Sequence, residues 1–267
     1  MSAACVIATA SDGAEIRAAQ FGEGPPILIL PPGMDDGRGY RKVAARLATR
    51  HRVVVLHRRQ YRLDLPRPAS MAEEVGDVLV LAETVGGTPL VFGHSSGAVL
   101  ALECLVAQPA LFSGAVLYEP PLPAETPGAE QALERARRAV AEGRPGRAMQ
   151  IFTHEMVGLP RAQSRLIGTF VSLLPQMRRM AARQIADVEA MHDLGSRRFA
   201  YATISTPTLL VGGDRSPGSL DQHLGLLAAG ITSATRITLE GQGHSAQMRD
   251  PARLAEVVAS FSDAVRQ

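Results

Sequence analysis

The sequence has no tryptophan, only two cysteines, and a single lysine, Lys42, among its 28 basic residues. Cys5 and Cys104 are too few for a disulfide scaffold or a thiolate metal site. No apolar run approaches the roughly 20 residues that are needed to cross a bilayer. No basic residue precedes the short apolar stretch within residues 1–12, so a signal peptide is not expected. These absences together predict a cytoplasmic globular protein.

The charge is balanced as well, because 28 basic and 26 acidic residues leave a net charge of +2. This balance argues against nucleic acid or an anionic membrane as the main partner. Apolar residues make up 46% of the 267 residues, which is enough for a sizeable core. We therefore expect a small molecule as the binding partner, and the sequence does not predict an oligomeric state.

Short apolar runs alternate with helical stripes along much of the chain. Two short runs flank the turn signal Asp12-Gly13 and predict an N-terminal hairpin. Alternating strands and helices predict right-handed βαβ units, in which a mostly parallel sheet is flanked by helices. The predicted strands after the hairpin are residues 27–30, 53–56, 89–92, 115–118, 207–211 and 234–239.

Residues 120–205 break this alternation, because they carry helical patterns and no strand signal. We predict an α/β core formed by residues 1–120 and 206–267, with an all-helical lid, residues 121–205, inserted between two strands. Long insertions at the end of a sheet are often binding elements. Among the apolar lid residues, Phe152, Met156 and Met177 are expected to contact an apolar substrate.

A candidate nucleophile lies where the third of the predicted parallel strands ends. The sequence Gly93-His94-Ser95-Ser96-Gly97 is a G-x-S-x-G pattern between a strand and a helix. Such a turn is sharp, and it pushes the serine hydroxyl out at the carboxyl edge of the sheet. Ser95 is therefore the predicted nucleophile, although the same pattern also occurs as a plain tight turn.

A serine nucleophile needs a base, and the base needs an acid that fixes its tautomer. His244, in the glycine-rich loop after the last strand, is the predicted base among seven histidines. Asp214, after Gly212-Gly213, is the predicted acid and gives the chain order Ser…Asp…His. Glu119, one strand earlier, is its rival. The amide groups of Met34 and Ser96 are placed to form an oxyanion hole, whose donors are worth roughly 3 kcal/mol each.

These residues resemble the α/β-hydrolase superfamily over nearly the whole chain apart from the lid. The resemblance rests on the loop at residues 30–34, the Gly93–Gly97 elbow, the Gly212-Gly213-Asp214 turn and residues 241–244. It implies the α/β-hydrolase fold, the triad Ser95, Asp214 and His244, and oxyanion amides at Met34 and Ser96. The elbow also looks similar to that of small bacterial esterase-like hydrolases.

The chemistry expected from the sequence is hydrolysis of a medium-sized apolar ester, thioester or lactone through an acyl-enzyme. A serine at position 95 disfavours epoxide hydrolases and haloalkane dehalogenases, which use an aspartate nucleophile. No metal and no cofactor is expected, because the sequence has no zinc-ligand spacing and no phosphate-binding glycine loop. Two alternatives stay open: a non-hydrolytic lyase, acyltransferase or cyclase on this fold, and a non-catalytic ligand-binding protein.

Overall fold

A single eight-stranded sheet forms the centre of the computed structural model, which describes residues 4–267. Its strand order is β1-β2-β4-β3-β5-β6-β7-β8. The strands are β1 (Ala4–Thr9), β2 (Glu15–Phe21), β3 (Pro26–Leu30), β4 (Arg52–His57), β5 (Leu90–His94), β6 (Gly114–Tyr118), β7 (Thr208–Gly213) and β8 (Ala234–Leu239).

The strand directions follow the sequence prediction. The hairpin β1–β2 is antiparallel, and β2 also pairs antiparallel with β4. Every other neighbouring pair, from β4 through β8, is parallel. The expected α/β-hydrolase fold with a mostly parallel sheet is therefore confirmed.

Helices cover both faces of the sheet because β3, β5 and β6 are buried on both sides and need apolar partners. The helices outside the segment between β6 and β7 are α1 (Arg41–Leu47), α2 (Met71–Val85), α3 (Ser96–Ala107), α9 (Gly218–Gly230), α10 (Ala246–Arg249) and α11 (Pro251–Ala264). One face packs against α1 and α11, and the other against α2, α3 and α9.

The segment between β6 and β7 is helical, with no strand in it, and we call residues 121–205 the helical insertion. A π-helical turn, Phe152–Met156, continues directly from α5. The helices of the insertion are α4 (Ala129–Ala141), α5 (Pro145–Ile151), α6 (Arg161–Leu173), α7 (Pro175–Asp193) and α8 (Arg198–Tyr201).

Candidate active site

Ser95 stands at the sharp turn that joins β5 to α3, with φ of 53° and ψ of −123°. The turn is possible because the chain segments pass too closely for side chains. A Cβ atom on Gly93 would lie 2.5 Å from Ala98 Cα, and one on Gly97 would lie 2.2 Å from the carbonyl oxygen of Leu30. This close approach holds Ser95 at the carboxyl edge of the sheet, where its side chain lines a cavity.

His244 lines the same cavity and contacts a buried carboxylate. Its Nδ1 atom lies 2.5 Å from Oε2 of Glu119, whose side chain is 1% exposed. The other oxygen of Glu119, Oε1, accepts hydrogen bonds from the backbone N–H of Gly213, at 2.8 Å, and from the Ser216 hydroxyl. With Nδ1–H donating to Glu119, the Nε2 atom of His244 is left free to accept a proton.

The expected pairing of His244 with Asp214 is not what the structure contains, and the carboxylate in contact with the imidazole is the rival, Glu119. Asp214 is exposed. The glycines before it serve close packing instead of turning its carboxylate inward, since a Cβ on Gly213 would lie 2.3 Å from the carbonyl oxygen of Gln242. The amide of Gly213 supports Glu119, so the turn contributes a backbone donor in place of an acid.

Backbone strain is concentrated around this cavity. Four non-glycine residues in the described part of the chain have positive φ, and three of them are Met34 (58°), Ser95 (53°) and Glu119 (49°). Each follows a strand or its exit loop at the carboxyl edge of the sheet. Such conformations cost about 1–3 kcal/mol each and cluster at functional sites.

Met34 and Ser96 supply two unused backbone donors at the cavity wall. Neither N–H donates to an acceptor anywhere in residues 4–267. The Ser96 amide opens α3, where the first N–H groups have no partner within the helix. Both amides therefore remain available to an anionic oxygen, as the oxyanion-hole prediction requires, and their role stays a prediction. Among the bonds within residues 4–267, none joins the Ser95 hydroxyl directly to the ring of His244.

A buried cation ties the helical insertion to the elbow, and nothing in the local sequence indicates it. Arg58 is fully buried and donates to the Ser96 hydroxyl at 2.6 Å. It also forms ion pairs with Glu74, at 2.5 Å, and with Asp187 on α7, at 2.8 Å. Burial raises the pKa of Glu74 against the opposing effect of Arg58. This Arg58 cluster fixes α7 beside the residue that carries one of the two free amides.

Two aromatic rings support His244 from behind. The His94 ring stacks on Tyr118 with ring centres 4.4 Å apart, and it lies 4.7 Å from the His244 ring. The Tyr118 hydroxyl donates to the carbonyl of Gly243 and accepts from the amide of Ala246 at 3.2 Å. The histidine loop is therefore held on both sides of His244. Burial lowers the pKa of His94 well below its ordinary value, so this ring is neutral.

The His94 ring gives the protein a pH-dependent stability. In the unfolded chain His94 takes up a proton near pH 6.5, whereas the folded protein resists that proton. The unfolded state therefore binds more protons, and the free energy of unfolding falls by up to about 1.4 kcal/mol per pH unit as the pH drops below 6.5. In His94→Phe, which keeps a ring on Tyr118, we expect this slope to be smaller by the contribution of one proton.

Urea unfolding of both proteins at pH 7, 6 and 5 measures the two slopes. His57 and His223, whose pKa values are also lowered by burial, titrate in both proteins and cancel in the comparison. Equal slopes would show that His94 does not resist protonation in the folded state.

The cavity above Ser95 has a volume of about 300 Å³. Phe152 and Met156, two of the expected substrate contacts, line it from the π-helical turn. Met177, the third, does not line it. Its side chain packs instead with Met149, Val171 and Ala181 beside Met34.

Met177 lies outside the cavity for a simple geometric reason. Gln184, Val188 and Met191 line the cavity from α7 at positions i, i+4 and i+7, which form one helical face. Met177 lies on the same face, but seven residues before Gln184, which is about 10 Å further along the helix axis. The spacing of those three residues is a signal that would have identified them from the sequence.

A model of the alpha/beta hydrolase family matches residues 27–257. The chain belongs to this family. An alpha/beta hydrolase from Sphaerobacter thermophilus is 29% identical, with a TM-score of 0.80 over 96% of this chain and 99% of that one.

Two esterases share the fold of this alpha/beta hydrolase at lower identity. One from Thermogutta terrifontis is 21% identical, with a TM-score of 0.75 and full coverage of both chains. One from Rhodococcus sp. is 20% identical, with a TM-score of 0.71 over 99% of this chain and 100% of that one.

None of the helices within residues 4–267 combines the length and the apolar character that a membrane-spanning segment needs. The same residues contain no group of three or more His, Cys, Asp or Glu side chains that could hold a metal ion. The absence of a cofactor stays a prediction.

Proposed function

We propose that this alpha/beta hydrolase is a serine esterase that cleaves apolar carboxylic esters through an acyl-enzyme. The observation that carries the proposal is the pairing of His244 with the buried Glu119 in the cavity that Ser95 lines. The esterases with the same fold support the reaction class. Ser95 is the nucleophile, His244 the base, and Glu119 the acid that fixes the imidazole.

In the acylation half, Ser95 Oγ attacks the ester carbonyl carbon while its proton passes to Nε2 of His244. The negative charge that develops on the carbonyl oxygen is stabilised by the N–H groups of Met34 and Ser96. Glu119 stabilises the imidazolium through Nδ1–H. When the tetrahedral intermediate collapses, the carbon–oxygen bond to the alcohol breaks, and the alcohol leaves with the proton from His244.

In the deacylation half, water attacks the acyl-enzyme and transfers its proton to His244, and the acid leaves as Ser95 recovers its proton. No redox partner is needed in either half. The free amide of Ser96 serves both halves, and the Arg58 cluster holds that residue and α7 in a fixed relation to each other.

The cavity favours an apolar substrate. Apolar side chains of the helical insertion and of α9 form part of its wall, namely Phe152, Met156, Val157, Val188, Met191 and Leu220. Methionine and aromatic side chains adapt to different apolar shapes. The helical insertion is then the lid of the site, and its flexible Met156 and Met191 side chains accept more than one acyl group.

A fluorophosphonate probe tests the proposed nucleophile directly. We expect stoichiometric labelling of the protein, with the mass shift on the peptide that contains Ser95, because a phosphonyl group reports an activated serine in an oxyanion hole. Incubation with p-nitrophenyl butyrate should release nitrophenol and butyrate in equal amounts.

The same two measurements separate the alternatives. Failure of the probe to label Ser95 would contradict the esterase and favour a ligand-binding protein. Labelling together with transfer of the butyryl group to an added acceptor, in place of butyrate release, would favour an acyltransferase.

A further inference from the structure

A second and larger cavity lies beside the candidate active site. It has a volume of about 450 Å³ and is bounded by the end of α7, by α8 and by α9. Its apolar wall includes Val99, Leu122, Leu194, Leu226 and Leu227. Nothing in the chemistry proposed above uses this space, which we call the distal cavity.

Two carboxylates beside the distal cavity already have hydrogen-bond donors. Glu103, on α3, accepts from Arg197 at 2.8 and 3.0 Å and from the Tyr201 hydroxyl at 2.9 Å. Glu125 accepts from the Ser196 hydroxyl at 2.5 Å. Arg197 therefore neutralises the charge of Glu103, Glu125 already has a hydroxyl donor, and the apolar part of the wall suits an uncharged apolar chain.

The two cavities share part of one wall. Pro121, Pro123 and Met191 contact both of them, and these residues are all that the two linings have in common. The two prolines are rigid, whereas the methionine has three rotatable bonds and an adaptable side chain. Rotation of the Met191 side chain is therefore the change that joins the cavities with the least movement of the backbone.

The proline side of this wall is fixed by His223. The backbone N–H of Leu122 donates to Nδ1 of His223 at 3.3 Å, and the Thr126 hydroxyl lies 3.1 Å from its Nε2. Thr126 also donates to the carbonyl of Leu122 at 3.1 Å. These bonds hold the turn at residues 121–126 in place, so that the adjustable part of the wall is Met191.

We propose that the distal cavity is an extension of the substrate site, that it holds the far end of an extended alkyl chain of the ester, and that Met191 is the movable part of the wall between the two. The inference rests on the proposed esterase function and deepens it. The cavity at Ser95 alone, at about 300 Å³, is at the lower limit of the size usual for ligand sites, and the distal cavity extends it well into that range.

Filling the distal cavity tests the proposal. Ala229 lines the cavity, whereas its neighbour Ala228, which is likewise exposed on α9, does not. Each methylene group that leaves water contributes about fourfold in affinity. Ala229→Trp should therefore lower kcat/KM for p-nitrophenyl decanoate at least tenfold relative to the butyrate, and Ala228→Trp should leave the ratio unchanged.

A second ester series shows which side of the ester enters the distal cavity. The p-nitrophenyl alkanoates place the long chain on the acyl group, and alkyl butyrates place it on the alcohol. The inference requires Ala229→Trp to be selective against long chains in at least one series. If Ala228→Trp and Ala229→Trp have the same chain-length profile in both series, the distal cavity is not part of the substrate site.

Shortening the movable side chain gives the opposite effect. Met191→Ala should raise the decanoate-to-butyrate ratio of kcat/KM severalfold, because the wall opens. Met180→Ala is the matched control, since Met180 is also buried on α7 but lines neither cavity. Equal ratios in the two variants would overturn the role of Met191.

Binding of decanoate, followed by isothermal titration calorimetry, separates this inference from the esterase proposal. If the protein hydrolyses no ester but Ala229→Trp still weakens decanoate binding relative to Ala228→Trp, the esterase proposal fails and the distal cavity stands as a binding site. If esters are hydrolysed and no chain-length effect appears, the extension fails and the esterase proposal stands.

Discussion

Ser95→Ala abolishes ester hydrolysis, with kcat for p-nitrophenyl butyrate expected to fall by about 10⁴- to 10⁶-fold. The hydroxyl is the group that becomes bonded to the acyl carbon, so no neighbouring side chain replaces it. Ser96 is close in sequence, but its hydroxyl accepts from the fully buried Arg58 and belongs to the first turn of α3. Steady-state kinetics together with fluorophosphonate labelling measure the effect.

The fold should survive this substitution. Ser95 Oγ takes part in no capping hydrogen bond of α3, and alanine meets the same backbone strain at φ of 53° as serine does. Thermal unfolding of Ser95→Ala should therefore match that of the wild type. Turnover at the wild-type rate in a correctly folded variant would overturn the assignment of Ser95 as the nucleophile.

Glu119→Gln is expected to lower kcat by about 10⁴-fold, because it selects the wrong tautomer of His244. Oε1 of Glu119 faces two donors, the Gly213 N–H and the Ser216 hydroxyl. The carbonyl oxygen of a glutamine stays on that side, so its NH₂ group faces Nδ1 of His244. Nδ1 must then accept, the proton moves to Nε2, and the ring can no longer take the proton of Ser95.

The matched control is Asp214→Asn, which removes the charge of the carboxylate that the sequence predicts as the acid of the triad. Because Asp214 is exposed and His244 is paired with Glu119, kcat should change less than severalfold. The reverse result, a nearly inactive Asp214→Asn and an active Glu119→Gln, would show that Asp214 is the acid of the triad. Residues that act as one catalytic unit are not additive, so Ser95→Ala combined with Glu119→Gln should be no slower than Ser95→Ala alone.

Local patterns predicted much of this fold. The hairpin at β1–β2, the buried strands and the turn at Ser95 each depend on residues close together in the sequence, and the structure contains all of them. The positions of Ser95 and His244 at one edge follow from parallel strands, whose carboxyl ends meet at the same side of the sheet.

The acid could not be chosen by the same reasoning. Glu119 and Asp214 both follow strands that end at that edge, and the choice depends on two features that lie far apart in sequence. One is the positive φ of Glu119, and the other is the close passage of Gln242 past Gly213. The Arg58 cluster escaped prediction for a similar reason, since Asp187 lies 129 residues away from Arg58.

The buried ion pair between Arg58 and Asp187 limits how the substrate can enter and the product leave. Separating the two would break the hydrogen bonds that Asp187 accepts from Arg58 and from the Tyr61 hydroxyl, and hydrogen bonds to charged groups are worth about 1.5–3 kcal/mol each. At that cost, molecules in which α7 has swung away from the core make up less than about 1% of the population. We expect substrate and product to pass the π-helical turn at Phe152–Met156 instead, while α7 keeps its position beside the core.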